Sequence, residues 1–227
     1  MGDFQLVYRT ELSDRQLMAF WSLVQASGRG RAIGFDRPEP DGPAFCRWMR
    51  RPSVHPWLVA WRGVPVGLCY LTAMQGRSAH VHFCMLPCGT RRVSVPAGAV
   101  PPAAMPRAFR ESEGRESGVR DSVRRGSARR ESGRESGRVT LPLLRAAALF
   151  GLASLLWEAP EQGFRLDTLI GITPAGHASA LAFVRSLGAR EHGAVPGLCW
   201  LHEAKVNAPG IITTFDREAV PQRAAAL

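Results

Sequence analysis

The side chains best suited to proton transfer cluster on one short segment. His80, His82 and Cys84 fall on alternate positions of Ser78–Leu86, with Val81, Phe83 and Met85 between them. Strict alternation predicts a strand that puts the imidazoles and the thiol on one face and the apolar side chains on the other. Histidine titrates nearest to neutral pH, so either imidazole is a candidate general acid or base. The structural alternative is two half-exposed strand histidines, or one hydrogen-bonded to a neighbouring strand. No cationic or basic surrounding can be assigned to Cys84, which reads as a small core thiol rather than a nucleophile. No metal site is expected. Cys84 and Cys88 are spaced C-x3-C, and alternate strand residues such as His80 and His82 make a poor tetrahedral cage with Cys84. The remaining candidates are His177, the two tyrosines Tyr8 and Tyr70, and four tryptophans, Trp21, Trp48, Trp57 and Trp61, which line a pocket or fill the core.

Several elements must position these groups. Phe4 to Arg9 reads as a strand. Ser13 to Gln16 forms a capping-box pattern, followed by Leu17, Phe20, Trp21 and Val24 at helical spacing and by Gly28 as a stop. Pro43 to Arg51 predicts a short second helix. Trp57 to Arg62 and Pro65 to Met74 are strands around an Arg62–Val64 hairpin turn. The most apolar run, the nineteen residues from Val139 to Trp157, is interrupted by Thr140, Pro142, Arg145 and Ser154. It suits a buried helix better than a membrane span. That helix is expected over Leu141 to Glu158, with Thr140 as N-cap and Pro142 in the first turn. Phe164 to Ile172 reads as a strand, Pro174 to Leu187 as a helix, and Leu198 to Glu203 and Ile211 to Phe215 as strands. Three meander strands followed by a βαβ crossover imply an α/β (α+β) fold, a mixed sheet flanked by helices.

The 227 residues carry 29 Lys and Arg against 19 Asp and Glu, a net charge of +10. Only Lys205 is a lysine, which suits codon bias better than selection for phosphate contacts. The charge is also local. Cys88 to Arg138 holds twelve arginines and six acids, a net of +6, so the rest of the chain is only +4. This stretch repeats a short word, Arg-Glu-Ser-Gly, at Arg115, Arg130 and Arg134, and offers almost nothing apolar after Arg110. It reads as a disordered low-complexity insertion that cannot offset the entropy of ordering. The domain plan is therefore 1–87 and 139–227 as two parts of one domain, with 88–138 inserted before the third main helix. No aromatic lies within Arg110 to Arg138 to stack a base, which argues against a nucleic-acid partner. Five cysteines without a C-x-x-C pair, and an N-terminus without the basic and apolar regions of a signal peptide, point to free thiols and a cytoplasmic location with no membrane contact.

This order resembles the GNAT superfamily of acetyl-CoA-dependent N-acetyltransferases. Trp61 to Gly67 looks like the family's second and third strands, where a hairpin leads into a Pro-Val-Gly step. Ala79 to Phe83 followed by a long helix looks like its fourth strand and third helix. Ile172 to Gly188 looks like its strand-5 and helix-4 signature. His80 to Phe83 and the ending Gly210 to Phe215 most resemble small phage and prophage members. The resemblance implies acetyl-CoA as cosubstrate, held between two parallel strands that splay apart, here those containing His80–Leu86 and Leu166–Ile172. Backbone amides at Met85 and Leu86 would take its arm. Its pyrophosphate would rest on the third helix's N-terminus and the loop before it, at Arg134, Gly137, Arg138, Val139, Thr140 and Leu141. His177 would cap the fourth helix or approach the cofactor.

By the same resemblance His82 is the first candidate base and His80 the second, with a small-molecule or protein amine as acceptor. Nothing marks an activated nucleophile, so direct transfer is expected. Tyr70 is a more remote candidate for protonating the thiolate. The chain departs from the family at the end of the helix-4 signature, where Gly188-Ala189 replaces a Gly-Phe pair, and at three further places. Val139 replaces the last small residue of the phosphate loop, His177 stands where an Asn is usual, and Val184 where a Tyr is frequent. Those departures favour the alternative of a catalytically silent GNAT scaffold of phage type. A module that binds nucleic acid through the arginine-rich insertion is the third reading.

Overall fold

A computed structural model of the protein describes residues 3–33, 35–87, 91–101, 138–157 and 166–227. The chain begins with β1 (Phe4–Val7), α1 (Asp14–Ala26), the single turn α2 (Gly30–Ile33) and α3 (Gly42–Met49). A meander follows, β2 (His55–Trp61), β3 (Val64–Gln75) and β4 (Ser78–Met85), then β5 (Arg92–Pro96). The later part comprises β6 (Arg138–Pro142), α4 (Leu143–Trp157), β7 (Thr168–Pro174), α5 (Ala178–Ser186), β8 (Arg190–Leu201) and β9 (Val206–Asp216). Seven strands form one sheet in the order β1-β2-β3-β4-β7-β9-β8, and β5 and β6 form a separate ribbon. Every neighbouring pair in the sheet is antiparallel except β4 and β7. The expected mixed sheet flanked by helices is thus the fold observed.

Helix α1 starts where the capping box requires. The Ser13 hydroxyl accepts from the Gln16 N–H at 3.2 Å, and the Gln16 side chain accepts from the Ser13 N–H at 2.9 Å. It ends in a Schellman motif. Gly28 adopts φ +72°, its N–H bonds to Gln25 O at 2.9 Å, and the Arg29 N–H bonds to Val24 O at 3.3 Å. The apolar stripe of α1 packs with Phe45 and Met49 of α3 on one face of the sheet, over Leu58, Leu68, Tyr70 and Cys84. Helix α4 covers the other face and is buried nearly all round. A helix without a polar face needs cover on every side. The sheet supplies one side, and the β5–β6 ribbon and a C-terminal turn at Gln222–Ala226 supply the rest.

Two expectations about this region are corrected. Helix α4 begins at Leu143 rather than Leu141, because Arg138–Pro142 pairs as a strand with Arg92–Pro96. Val139 and Leu141 are buried while Thr140 is exposed, a period of two that serves the ribbon and leaves Thr140 no capping role. The predicted insertion also gives up its first part. Val95, Ala97, Ala99 and Val100 are buried in the main core, so residues 91–101 belong to the folded domain. The Arg-Glu-Ser-Gly repeats, Glu158 and Phe164 lie outside the described residues. Strand β8 starts at Arg190, well before the expected Leu198. Register shifts at Glu191/Gly193 and Val195/Cys199 break the alternation that would have marked it. Helix α5 starts late, at Ala178, because β7 pairs with β9 through Pro174.

The ribbon can be tested directly. Leu141→Ala should cost about 2–4 kcal/mol in urea denaturation, whereas Thr140→Ala should stay within about 0.5 kcal/mol. A loss near 1 kcal/mol for Thr140→Ala with little effect at Leu141 would restore Thr140 as the helix cap.

Candidate active site

Strands β4 and β7 pair only at Ser78–Thr168, Ala79–Leu169 and His80–Ile170. Beyond His80 both strands continue, β4 to Met85 and β7 to Pro174, without pairing to each other. Successive residues of a strand send their backbone groups to opposite edges. The Arg77 carbonyl accepts from Asp167 N–H of the β7 side at 2.7 Å, and the Leu86 N–H donates to Val66 O at 3.0 Å, just before β3's Gly67. The odd-numbered residues Val81, Phe83 and Met85 therefore turn their N–H and C=O groups into the gap. A cavity of 140 Å³ occupies it, lined by Tyr70, His82 and Phe83 on one side and by Gly171, His177 and Val184 on the other.

His82 stands at the point of divergence. Its ring stacks on Tyr70, centroids 4.5 Å apart and 6° from parallel, and its Nε2 shares a 2.9 Å hydrogen bond with Thr72 Oγ1. Nε2 is thus engaged and Nδ1 is the ring nitrogen left for other partners. Burial pushes the His82 pKa down to about 4, with His80 adding to the fall and the Asp36 carboxylate opposing it. The imidazole is therefore neutral at pH 7. Burial also raises the Tyr70 phenol well above the usual tyrosine range, so it stays protonated. Trp48 meets Tyr70 edge-on at 5.2 Å, and Arg37 lies 4.5 Å over the Trp48 ring. Arg37 also holds Asp36 with two bonds of 2.9 and 2.6 Å, which keeps that carboxylate below its ordinary range.

A larger cavity of 830 Å³ adjoins this cleft. It lies between the segment after α2, the start of α5 and the β8–β9 turn, and the two cavities share Phe35, His177 and Ala180. Phe35 and His177 meet edge-to-face at 5.9 Å. The turn is tied down by the His202 N–H on Phe35 O at 2.8 Å, and Arg31 bridges Glu39 at 3.9 Å and Glu203 at 3.3 Å.

The structure brings some of the predicted site residues together and separates others. His82 and His177 line the cleft, whereas Met85 ends β4 beyond the lining residues. His80 shares the face of His82 but lies where β4 is still paired to β7. The Leu86 amide is spent on Val66, which removes it from the expected cofactor amides. His177 occupies the N-cap position of α5, yet its side chain caps nothing and turns to Phe35 instead. Arg138 is committed to Ser94 with bonds of 3.0 and 2.7 Å. Val139, Thr140 and Leu141 are ribbon residues rather than a helix N-terminus, and the first α4 amide, of Leu143, donates to Arg91 O at 2.9 Å. Arg134 and Gly137 lie outside the described residues. Cys84 is buried, with its pKa raised by desolvation, as a core thiol should be. Sequence reasoning missed Asp36, Arg37 and Thr72, and gave Tyr70 too little weight. Tyr70 and Thr72 carried a signal, since the hairpin register sets Tyr70 opposite His82 and Thr72 opposite His80.

Because the folded-state pKa of His82 lies below its value of 6.5 in the unfolded chain, protonation favours unfolding. Its stabilising contribution is complete above pH 6.5 and is lost as pH falls toward 4, a change on the order of 3 kcal/mol. The midpoint of thermal unfolding should fall through this window in the wild type and should fall less in His82→Gln. Parallel curves for the two proteins would contradict the assignment.

No protein-family profile matches the sequence, and no curated protein sequence matches it either. Solved structures do. Mycobacterium smegmatis RimJ in complex with CoA-disulfide aligns with a TM-score of 0.58 at 14% identity, over 99% of this chain and 87% of that one. Spermidine N-acetyltransferase from Vibrio cholerae, in complex with CoA and spermine, gives 0.56 at 10% identity over 96% of this chain and 97% of that one. AAC(6')-Ib in complex with ribostamycin and coenzyme A gives 0.55 at 11% identity over 96% and 95%. At such identities the likeness is one of fold, and the fold is that of the GNAT acetyltransferases.

Proposed function

We propose that this protein is an N-acetyltransferase that moves an acetyl group from acetyl-CoA to an amine by direct transfer. The observation that carries the reading is the position of His82, a buried neutral imidazole at the apex of two splayed strands whose facing edges are unpaired. Free strand edges suit an amide-bearing arm, which adds to them as a peptide strand would. The fit is good along β4, at Val81, Phe83 and Met85, and poor at the expected phosphate loop, where Arg138 and the Leu143 amide already have partners.

When bound, acetyl-CoA supplies the activated acyl group, a thioester. The chain's own residues do the rest. An imidazole with a pKa of about 4 does not strip a proton from a free ammonium. His82 instead accepts the proton while the C–N bond forms, when the amine nitrogen turns acidic. Thr72 orients the ring through Nε2. Tyr70, held protonated and in contact with His82, donates to the sulfur as the C–S bond breaks. The 830 Å³ cavity is the acceptor's approach, where an amine would compete with Arg31 for the carboxylates Glu39 and Glu203.

The four described cysteines are all free and buried, which supports a reducing cytoplasm. Among the described residues no helix is long and apolar enough to cross a membrane. The phage-type resemblance concerns the central strand β4 and β9, the strand next to the β8 edge, and favours a small enzyme or scaffold of that group.

Calorimetry with acetyl-CoA should report binding, and an amine panel read by thiol release should report turnover that falls about 100-fold or more in His82→Ala. Cofactor binding with no turnover on any amine would leave the silent scaffold. Absence of cofactor binding would end the enzyme reading.

A further inference from the structure

The first amide of α4 is already bonded to Arg91 O, and a cation reaches the end of β4 from elsewhere. The Schellman motif at the end of α1, with Gly28 at φ +72°, directs the chain so that Arg29 reaches across to β4. The guanidinium Nη1 lies 3.4 Å from the Met85 carbonyl, its hydrogen-bond partner among the described residues. That carbonyl belongs to the series that faces the gap between β4 and β7. Arg31, Arg37, Arg50, Arg62, Arg77, Arg185 and Arg217 pair with carboxylates, whereas Arg29, like Arg9, Arg92 and Arg138, bonds a backbone carbonyl, and of these four it is the one that reaches β4. A long contact to a neutral carbonyl is a weak use of an arginine, whose strong partners are carboxylates and phosphates.

Three residues separate His82 from Met85, about 10 Å at roughly 3.3 Å per residue. An extended pantetheine arm is longer than this span, so a carrier with its thioester at His82 and its arm along β4 carries its phosphates past Met85, toward the side from which the Arg29 guanidinium reaches that carbonyl.

We propose that Arg29 is the diphosphate-binding residue of the cleft, exchanging the Met85 carbonyl for the diphosphate of coenzyme A. This assignment rests on the acetyltransferase reading above and adds to it a residue from the segment after α1, remote in sequence from the loop where phosphate binding was expected.

The test uses the full chain, wild type and Arg29→Gln, in calorimetric titrations with coenzyme A, dephospho-coenzyme A and pantetheine. Arg29 is exposed, so the variant should fold, and circular dichroism with an unchanged midpoint checks this. The expected result is a loss of about 10-fold or more in affinity for both diphosphate ligands, no change for pantetheine, and partial recovery in Arg29→Lys. An equal loss for pantetheine would overturn the assignment, because Arg29 would then only shape the cleft. A loss confined to coenzyme A would also overturn it, in favour of the 3′-phosphate. Unchanged coenzyme A binding in Arg29→Gln would overturn this assignment alone, whereas a wild type that binds none of the three would overturn the acetyltransferase reading with it.

Discussion

Three parallel backbone pairings, from Ser78–Thr168 to His80–Ile170, join the two halves of the main sheet, and the structure depends on their stopping there. Longer pairing would close the gap over Val81, Phe83 and Met85. Shorter pairing would leave the β2–β4 meander and the β7–β9 unit without a common sheet. Divergence requires both strands to be stabilised from their outer sides. β3 pairs with β4 as far as Met85, and β9 pairs with β7 as far as Pro174. Each strand is held by one neighbour while its other edge is left open, which unpaired backbone groups tolerate only where a ligand or water can reach them.

The two helical layers play different parts in this arrangement. On one face, α1 and α3 bury Phe20, Trp21, Phe45 and Met49, each worth roughly 1.5–3 kcal/mol on burial. That packing brings Trp48 and the segment carrying Asp36 and Arg37 over Tyr70 and His82. On the other face, α4 anchors both halves, touching β2, β3, β5 and β6, and its core cluster includes Leu169 and Phe215 from beyond the gap. The cleft residues and the mechanical support therefore sit on opposite sides of the same sheet. This follows from β4 itself, whose even-numbered residues face the first layer and whose odd-numbered residues face the second.

Burial sets the protonation states of the cleft. Desolvation keeps His82 neutral and the Tyr70 phenol protonated, while Asp36 remains charged because Arg37 holds it. A neutral acceptor of protons thus lies against a neutral donor, with fixed charge kept to the rim. Because the imidazole is depressed by low dielectric rather than by a single cation, its proton affinity depends on how closely the two layers exclude water.

Features encoded within a few neighbouring residues were legible in the sequence. The Ser13–Gln16 capping box, the Gly28 stop and the alternation of Ser78–Met85 each depend on local hydrogen bonds or on one strand's period, and each stands where the residues implied. The order of strands and the parallel crossover followed from them. The β5–β6 ribbon was not legible, because its strands lie on either side of a long stretch whose composition resembles a linker and Val139–Leu141 reads as easily as a helix start. The same limit hid Arg29, Asp36 and Arg37, whose roles depend on residues up to 56 positions away, as in the Arg29–Met85 contact. By itself the sequence determined which segments become strands and helices and which face of β4 carries the histidines. Only the tertiary structure decided where β4 and β7 part, which imidazole stands at that point and which arginine reaches the end of β4, because those outcomes depend on packing and hydrogen bonds between residues far apart in the chain.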